Sequence, residues 1–120
     1  VALLAFGRMV GQACKAAELL ETQGVNARVV DMRWVKPLDN AAVAAACETK
    51  LVVTLEEGVI AGGAGSAVLE SMAASGLRAS VLQLGIPDTF VAQGKVGELF
   101  HSLGLDPEGI AASVLARLNA

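Results

Sequence analysis

An α/β fold with a mainly parallel sheet is what this sequence predicts, and three observations carry that reading. Short apolar runs alternate with stretches of helical spacing, the rhythm of strand, crossover helix and strand. The runs Val1 to Phe6 and Leu51 to Leu55 are apolar almost throughout, as strands covered on both faces are. Glycine or a capping residue stands at most of the junctions, as at Gly7, Gly24, Gly76 and Gly104.

In order, Val1 to Phe6 reads as a buried strand broken by Gly7. Met9 to Leu20 has helical spacing, with either Val10, Cys14, Ala17 and Leu20 or Met9, Ala13, Ala16 and Leu20 on the dry side. Gly24 stops that helix at its C′ position. Ala27 to Met32 is a second strand, so the first three elements make a βαβ unit. Arg33 to Asn40 is irregular, because Pro37 cannot sit in a central strand. Asp39 is placed to cap an alanine-rich helix from Asn40 to Glu48. Leu51 to Leu55 forms the central strand, ending in Glu56 and Glu57. Gly58, Gly62, Gly63 and Gly65 then allow a turn where side chains would collide. Ser66, or the small residues before it, is expected to cap a helix reaching Ser75.

Ser80 to Leu84 is a fourth strand, followed by a turn at Gly85-Ile86-Pro87-Asp88. Phe90 and Val91 would anchor this loop to the body, and Gln93-Gly94 ends it. A helix runs from Lys95 to Leu103. Asp106 caps the last one, with Pro107 at N1 and Glu108 in the first turn. Its apolar stripe is Ile110, Val114, Leu115 and Leu118. Such a sheet has room for a further strand before Val1, and a start without methionine points to a fragment or processed piece.

Composition narrows the function. The 120 residues fit one domain, and a 54% hydrophobic content supplies its core from alanine, valine and leucine. A net charge of −3 argues against a nucleic-acid surface. No run of about 20 apolar residues is present, so no membrane span is expected. No signal-type segment is visible, and a cytoplasmic setting follows. Cys14 and Cys47 form no C-x-x-C and read as reduced thiols packed like small hydrophobes.

Glu56 and Glu57 invite an acid–base reading, since close carboxylates drive their pKa values apart. Consecutive strand residues point to opposite faces, however, so one at most faces a given pocket. Hydrogen bonding to loop backbone or to a neighbouring chain is the favoured reading. Gly62-Gly63-Ala64-Gly65-Ser66 resembles a phosphate cradle at a helix start. It lacks the lysine of a P-loop, and the two glutamates beside it repel phosphate. Close backbone packing, against a partner subunit, fits better. His101, the one histidine, has no second ligand near it in sequence. Arg33 and Lys36 suit a solvated or interdomain salt bridge. Trp34 reads equally as a buried anchor and as an interface residue. On the residues alone this is an α/β domain without a convincing active site.

The motifs, taken together, resemble a known family. Asp31-Met32-Arg33-Trp34-Val35-Lys36-Pro37-Leu38-Asp39 is similar to the signature after the second strand of the C-terminal domain of transketolase-like enzymes. Val53-Thr54-Leu55-Glu56-Glu57 with Gly62 to Ser66 resembles the next landmark. These two would also fit β subunits of 2-oxo-acid dehydrogenases, which dock a lipoyl-bearing partner. Leu84 to Gly94, then Leu103-Gly104-Leu105-Asp106 and Gly109-Ile110, are similar to the 1-deoxy-D-xylulose-5-phosphate synthase family.

That resemblance implies a three-layer α/β/α domain with a five-stranded mixed sheet, its antiparallel strand lying before Val1. It implies a homodimeric parent enzyme that condenses pyruvate with glyceraldehyde 3-phosphate and releases carbon dioxide. Its product feeds isoprene, thiamine and pyridoxal biosynthesis. Thiamine diphosphate and Mg²⁺ belong, in the family, to domains absent from this chain. The resemblance therefore carries over no catalytic, cofactor or metal residue. It implies packing or interface roles for Arg33, Trp34, Glu56, Glu57, Gly62, Gly63, Gly65 and Ser66, with the rest of the parent chain and a second subunit as partners. The other reading is a stand-alone module that binds a small anion at the glycine turn.

Overall fold

The computed structural model describes residues 1–33, 35, 37–87 and 96–120. Among them are four strands, β1 (Ala2–Ala5), β2 (Arg28–Asp31), β3 (Val52–Val59) and β4 (Val81–Ile86). The helices are α1 (Met9–Thr22), α2 (Asn40–Ala46), α3 (Ala64–Ala74), α4 (Val96–Ser102) and α5 (Pro107–Leu118). The strands form one parallel sheet in the order β2-β1-β3-β4. The chain therefore leaves β1 toward one side and returns to pair β3 on the other. Between β1 and β3 lies the topological switch point, where open α/β sheets usually receive ligands and partners.

Helices cover both faces of the sheet, which makes the three-layer arrangement. On one face Leu3, Ala5, Val53 and Leu55 pack against Met9, Ala13, Ala16 and Leu20 of α1, Phe100 of α4, and Ile110 and Val114 of α5. On the other, Ala2, Leu4 and Val52 pack against Val43 and Ala46 of α2 and Val68 and Met72 of α3. Alternating residues of β1 thus serve opposite layers, as the strand period of two requires.

Of the two registers open for α1, the structure takes Met9, Ala13, Ala16 and Leu20 as the buried set. Cys14 consequently lies exposed on the wet side, which corrects the expectation that both thiols are packed; Cys47 is half-buried, and both are free. Asp39 caps α2 through Ala42 N–H at 3.0 Å, and Asp106 caps α5 through Gly109 N–H at 2.9 Å. Gly24, Gly76 and Gly104 end their helices with positive φ.

Three boundaries near the carboxyl edge of the sheet differ from the sequence reading. β3 does not stop at Leu55 but continues through both glutamates and Gly58 to Val59. Leu55 pairs with Leu84 and Val59 with Ile86, so β3 bulges between them. β4 likewise runs on through Gly85 and Ile86, where a turn was expected, because its partner strand continues beside it. α3 starts at Ala64, with Gly63 rather than Ser66 at its N-cap. Asp88, Phe90, Val91, Gln93, Gly94 and Lys95, like Trp34 and Lys36, lie outside the described residues.

Candidate functional site

The carboxyl end of the sheet gathers most of the residues that stood out in the sequence. Two open clefts of roughly 360 and 400 Å³ adjoin there and share Val35, Gly63 and Ala64. Phe6, Arg33, Glu56, Glu57 and Val59 line the first, at the switch point between β1 and β3. Gly62, Ser66 and Glu70 line the second. Val35 and Val59 are two of the large apolar residues left exposed in the fold, and both face this edge.

Each glutamate serves a helix start, and the two helices belong to opposite layers. Glu56 is 4% exposed. Its Oε1 accepts from Ala64 N–H at 3.1 Å and its Oε2 from Gly65 N–H at 2.5 Å. These donors are at N1 and N2 of α3, which have no intrahelical acceptor. The carboxylate also meets the positive end of the helix dipole. Burial pushes the Glu56 carboxyl above its ordinary value, against the downward pull of the Gly65 and Ala64 N–H groups. Glu57 turns the other way. Its Oε1 lies 3.3 Å from Arg8 Nε and its Oε2 3.1 Å from an Arg8 terminal nitrogen, a forked pair at the start of α1. Arg8 is largely solvated, so this pair contributes little to stability.

The glycines are required by Glu56 and the bulge. A Cβ on Gly63 would stand 1.9 Å from Glu56 Oε1 and 2.4 Å from the Val59 carbonyl oxygen. One on Gly85 would approach Ile60, Glu56 and the Gly58 carbonyl at about 3 Å. Gly62 has a φ of 72° and needs its freedom for the turn itself. Ser66 caps nothing; its hydroxyl donates to the Ile60 carbonyl at 3.2 Å. Arg33 is exposed, with φ 55°, and its N–H donates to Asp31 Oδ1 at 3.1 Å.

The structure therefore brings Glu56, Gly63 and Gly65 into direct contact. It sends Glu57 to Arg8 and leaves Arg33 at the cleft wall. Thr54 and Gln83 complete the surroundings of Gly65, and neither was singled out by the sequence. Their register, Thr54 opposite Gln83 on neighbouring strands, is the signal that a correct strand alignment would have supplied.

This edge does not fit a diphosphate. The two N–H groups that would hold one are already bonded to Glu56, and a carboxylate lies where phosphate oxygens would go. Among the described residues no group of three histidine, cysteine or acidic side chains is placed to hold a metal ion. No helix among them is long and apolar enough to cross a membrane. His101 is exposed, its Nδ1 2.6 Å from Asp106 Oδ2, far in role from any ligand cluster.

Residues 1–110 match the family defined by the C-terminal domain of transketolase. This chain is a transketolase C-terminal domain. Curated relatives of the domain include the 1-deoxy-D-xylulose-5-phosphate synthases of Chromohalobacter salexigens, 54% identical, and Thioalkalivibrio sulfidiphilus, 53% identical. Both alignments cover 99% of this chain. The domain spans only 18% of the length of each of those enzymes. Among solved structures it is similar to a split-gene transketolase described as an inactive β4 tetramer. That match has a TM-score of 0.85 and 34% identity, covering 98% of this domain and 38% of that chain. A transketolase from Pichia stipitis, at 24% identity and a TM-score of 0.60, shares the fold over 96% of this domain and 16% of its own chain.

Proposed function

We propose that this domain is the C-terminal, non-catalytic part of a 1-deoxy-D-xylulose-5-phosphate synthase, and that its carboxyl edge packs against the rest of the enzyme and a second subunit. One observation carries the assignment: identity above 50% along essentially the whole domain to enzymes of that name. The parent enzyme would join pyruvate to glyceraldehyde 3-phosphate with loss of carbon dioxide, in the cytoplasm, on the route to isoprene units and thiamine. Its thiamine diphosphate and Mg²⁺ would be bound by other regions of the chain. An edge whose first helix N–H groups are bonded to Glu56, with Val35 and Val59 left exposed, supports a role in contact with protein.

The test uses the full-length protein. It should form 1-deoxy-D-xylulose 5-phosphate from the two substrates, while the 120-residue domain alone should neither turn over nor bind thiamine diphosphate with Mg²⁺ in calorimetry. Activity on other substrates only would overturn the assignment. Val59→Asp, at an exposed position, should weaken the full-length dimer at least about tenfold in sedimentation velocity, as a charge buried in a contact does. A dimer as tight as wild type would remove the carboxyl edge from the interface.

A further inference from the structure

We infer that the carboxyl edge is self-complementary and receives a second copy of this chain, with Arg33 of each subunit set against Glu70 of the partner subunit across a two-fold axis near Val35. Resting on the proposed contact with a second subunit, this names the surface and its pairing. The charges around the two clefts carry it. Glu56 is bonded to the Ala64 and Gly65 N–H groups, and Glu57 to Arg8. Asp31 Oδ1 is taken up by the main-chain N–H of Arg33. Arg33 and Glu70 are both exposed, and among the described residues neither side chain has an ionic or hydrogen-bonded partner. One cleft is thus left with an unpaired positive charge and the adjoining one with an unpaired negative charge. Val35 borders both clefts and lies between the two charges.

The backbone adds a second observation. Gly7, Gly24, Gly62, Gly76 and Gly104 hold the other positive-φ positions, and Arg33, at φ 55°, is the one residue with a side chain among them in the described chain. Glycine would relieve that position. A strained residue that keeps its guanidinium points to a partner beyond its own turn. In a two-fold contact the same patch meets itself, so residue i touches j and j touches i. An axis near Val35 lays the first cleft of one copy over the second cleft of the other. Each planar guanidinium then forks onto a carboxylate, and the exposed Val35 and Val59 supply apolar surface between the two pairs. Opposite unpaired charges on either side of one apolar residue are what such a contact requires. Each copy of these residues carries a net charge of −3, so the pairs also offset repulsion where the copies touch.

The test coexpresses two full-length variants, Arg33→Glu and Glu70→Arg, one of them isotopically labelled, and counts dimers by native mass spectrometry. Each homodimer places like charges at both contacts, whereas the mixed dimer places opposite charges at both. With each homodimer weakened about tenfold, mixed dimers should make up about nine-tenths of the total, against about half for random pairing. A chain carrying both substitutions should dimerise with itself and, coexpressed with wild type, form mixed dimers less often than chance. Random pairing in either mixture, or a wild type that forms no dimer, would overturn the inference. Should Arg33→Glu not fold, Arg33→Asn takes its place, because asparagine tolerates the left-handed backbone; it should still favour the mixed dimer over chance, and random pairing there counts equally against the idea. Val59→Asp separates the two failures. If it weakens the dimer while pairing is random, the edge stays an interface and this pairing is wrong; if it has no effect, the interface reading itself falls.

Discussion

At the scale of single residues, the same substitution has opposite consequences at two glycines. Gly63→Ala drives a methyl into Glu56 Oε1 and into a backbone carbonyl that cannot turn away. It should lower unfolding stability by about 1–3 kcal/mol, the usual cost of overpacking. Gly11, inside α1, has nothing within 4 Å of an added Cβ. Gly11→Ala should raise stability by about 0.5–1 kcal/mol through helix propensity. Urea midpoints of the two variants separate these outcomes, and equal shifts would contradict the packing described. Glu56 supplies a pH dependence of definite sign. Because burial raises its carboxyl in the folded state, folding favours its neutral form. Its contribution is therefore complete below the ordinary value of 4.5 and is lost as pH rises through the raised one. The slope of stability against pH in that range should flatten in Glu56→Gln. The glycines and glutamates were legible as a group in the sequence, but their pairing was not. Glu56 reaches its helix from eight and nine residues away, across a bulge and a turn, and no local spacing rule covers that distance.

At the scale of elements, the contrast is with Asp39 and Asp106. Each caps a helix through the N–H three residues on, a reach short enough to read directly from the chain. Asp106→Ala should cost about 1 kcal/mol, typical for a lost cap. It also removes the partner of His101, whose imidazole is raised above its ordinary 6.5 chiefly by the hydrogen bond its ring N–H donates to Asp106. That coupling is complete below pH 6.5 and disappears as pH rises through the raised value. Thermal melts of wild type and His101→Gln should converge at alkaline pH and separate in mild acid. A constant gap would mean that the pair contributes nothing through charge. The ends of β3 and β4 are hidden from the sequence for one shared reason. Gly58 and Gly85 look like punctuation in sequence, yet each strand is carried past its glycine by the other. Pairing is a property of two segments, and neither segment announces it alone.

At the scale of the molecule, the fold class, strand sequence and helix order were all legible, because they follow from apolar runs alternating with amphipathic ones. The layers were not, since periodicity does not say which helix goes to which face. Leu3 and Leu4 make the division testable. They are neighbours in β1, both fully buried, and each belongs to a different layer. Leu3→Ala and Leu4→Ala should each cost about 2–5 kcal/mol. Methyl NMR should show the disturbance near Met9 and Ile110 in the first and near Val43 and Val68 in the second. A common pattern would deny the separation. Strand order has a further meaning for the chain as it is made. β1 and β2 are close in sequence and can pair around α1 soon after synthesis, but the other flank of β1 must wait for β3, some fifty residues later. During that interval the nascent domain presents an apolar strand with one side bare, the kind of surface that invites wrong neighbours. An inner strand of the finished sheet is thus the one left open while the domain is half built.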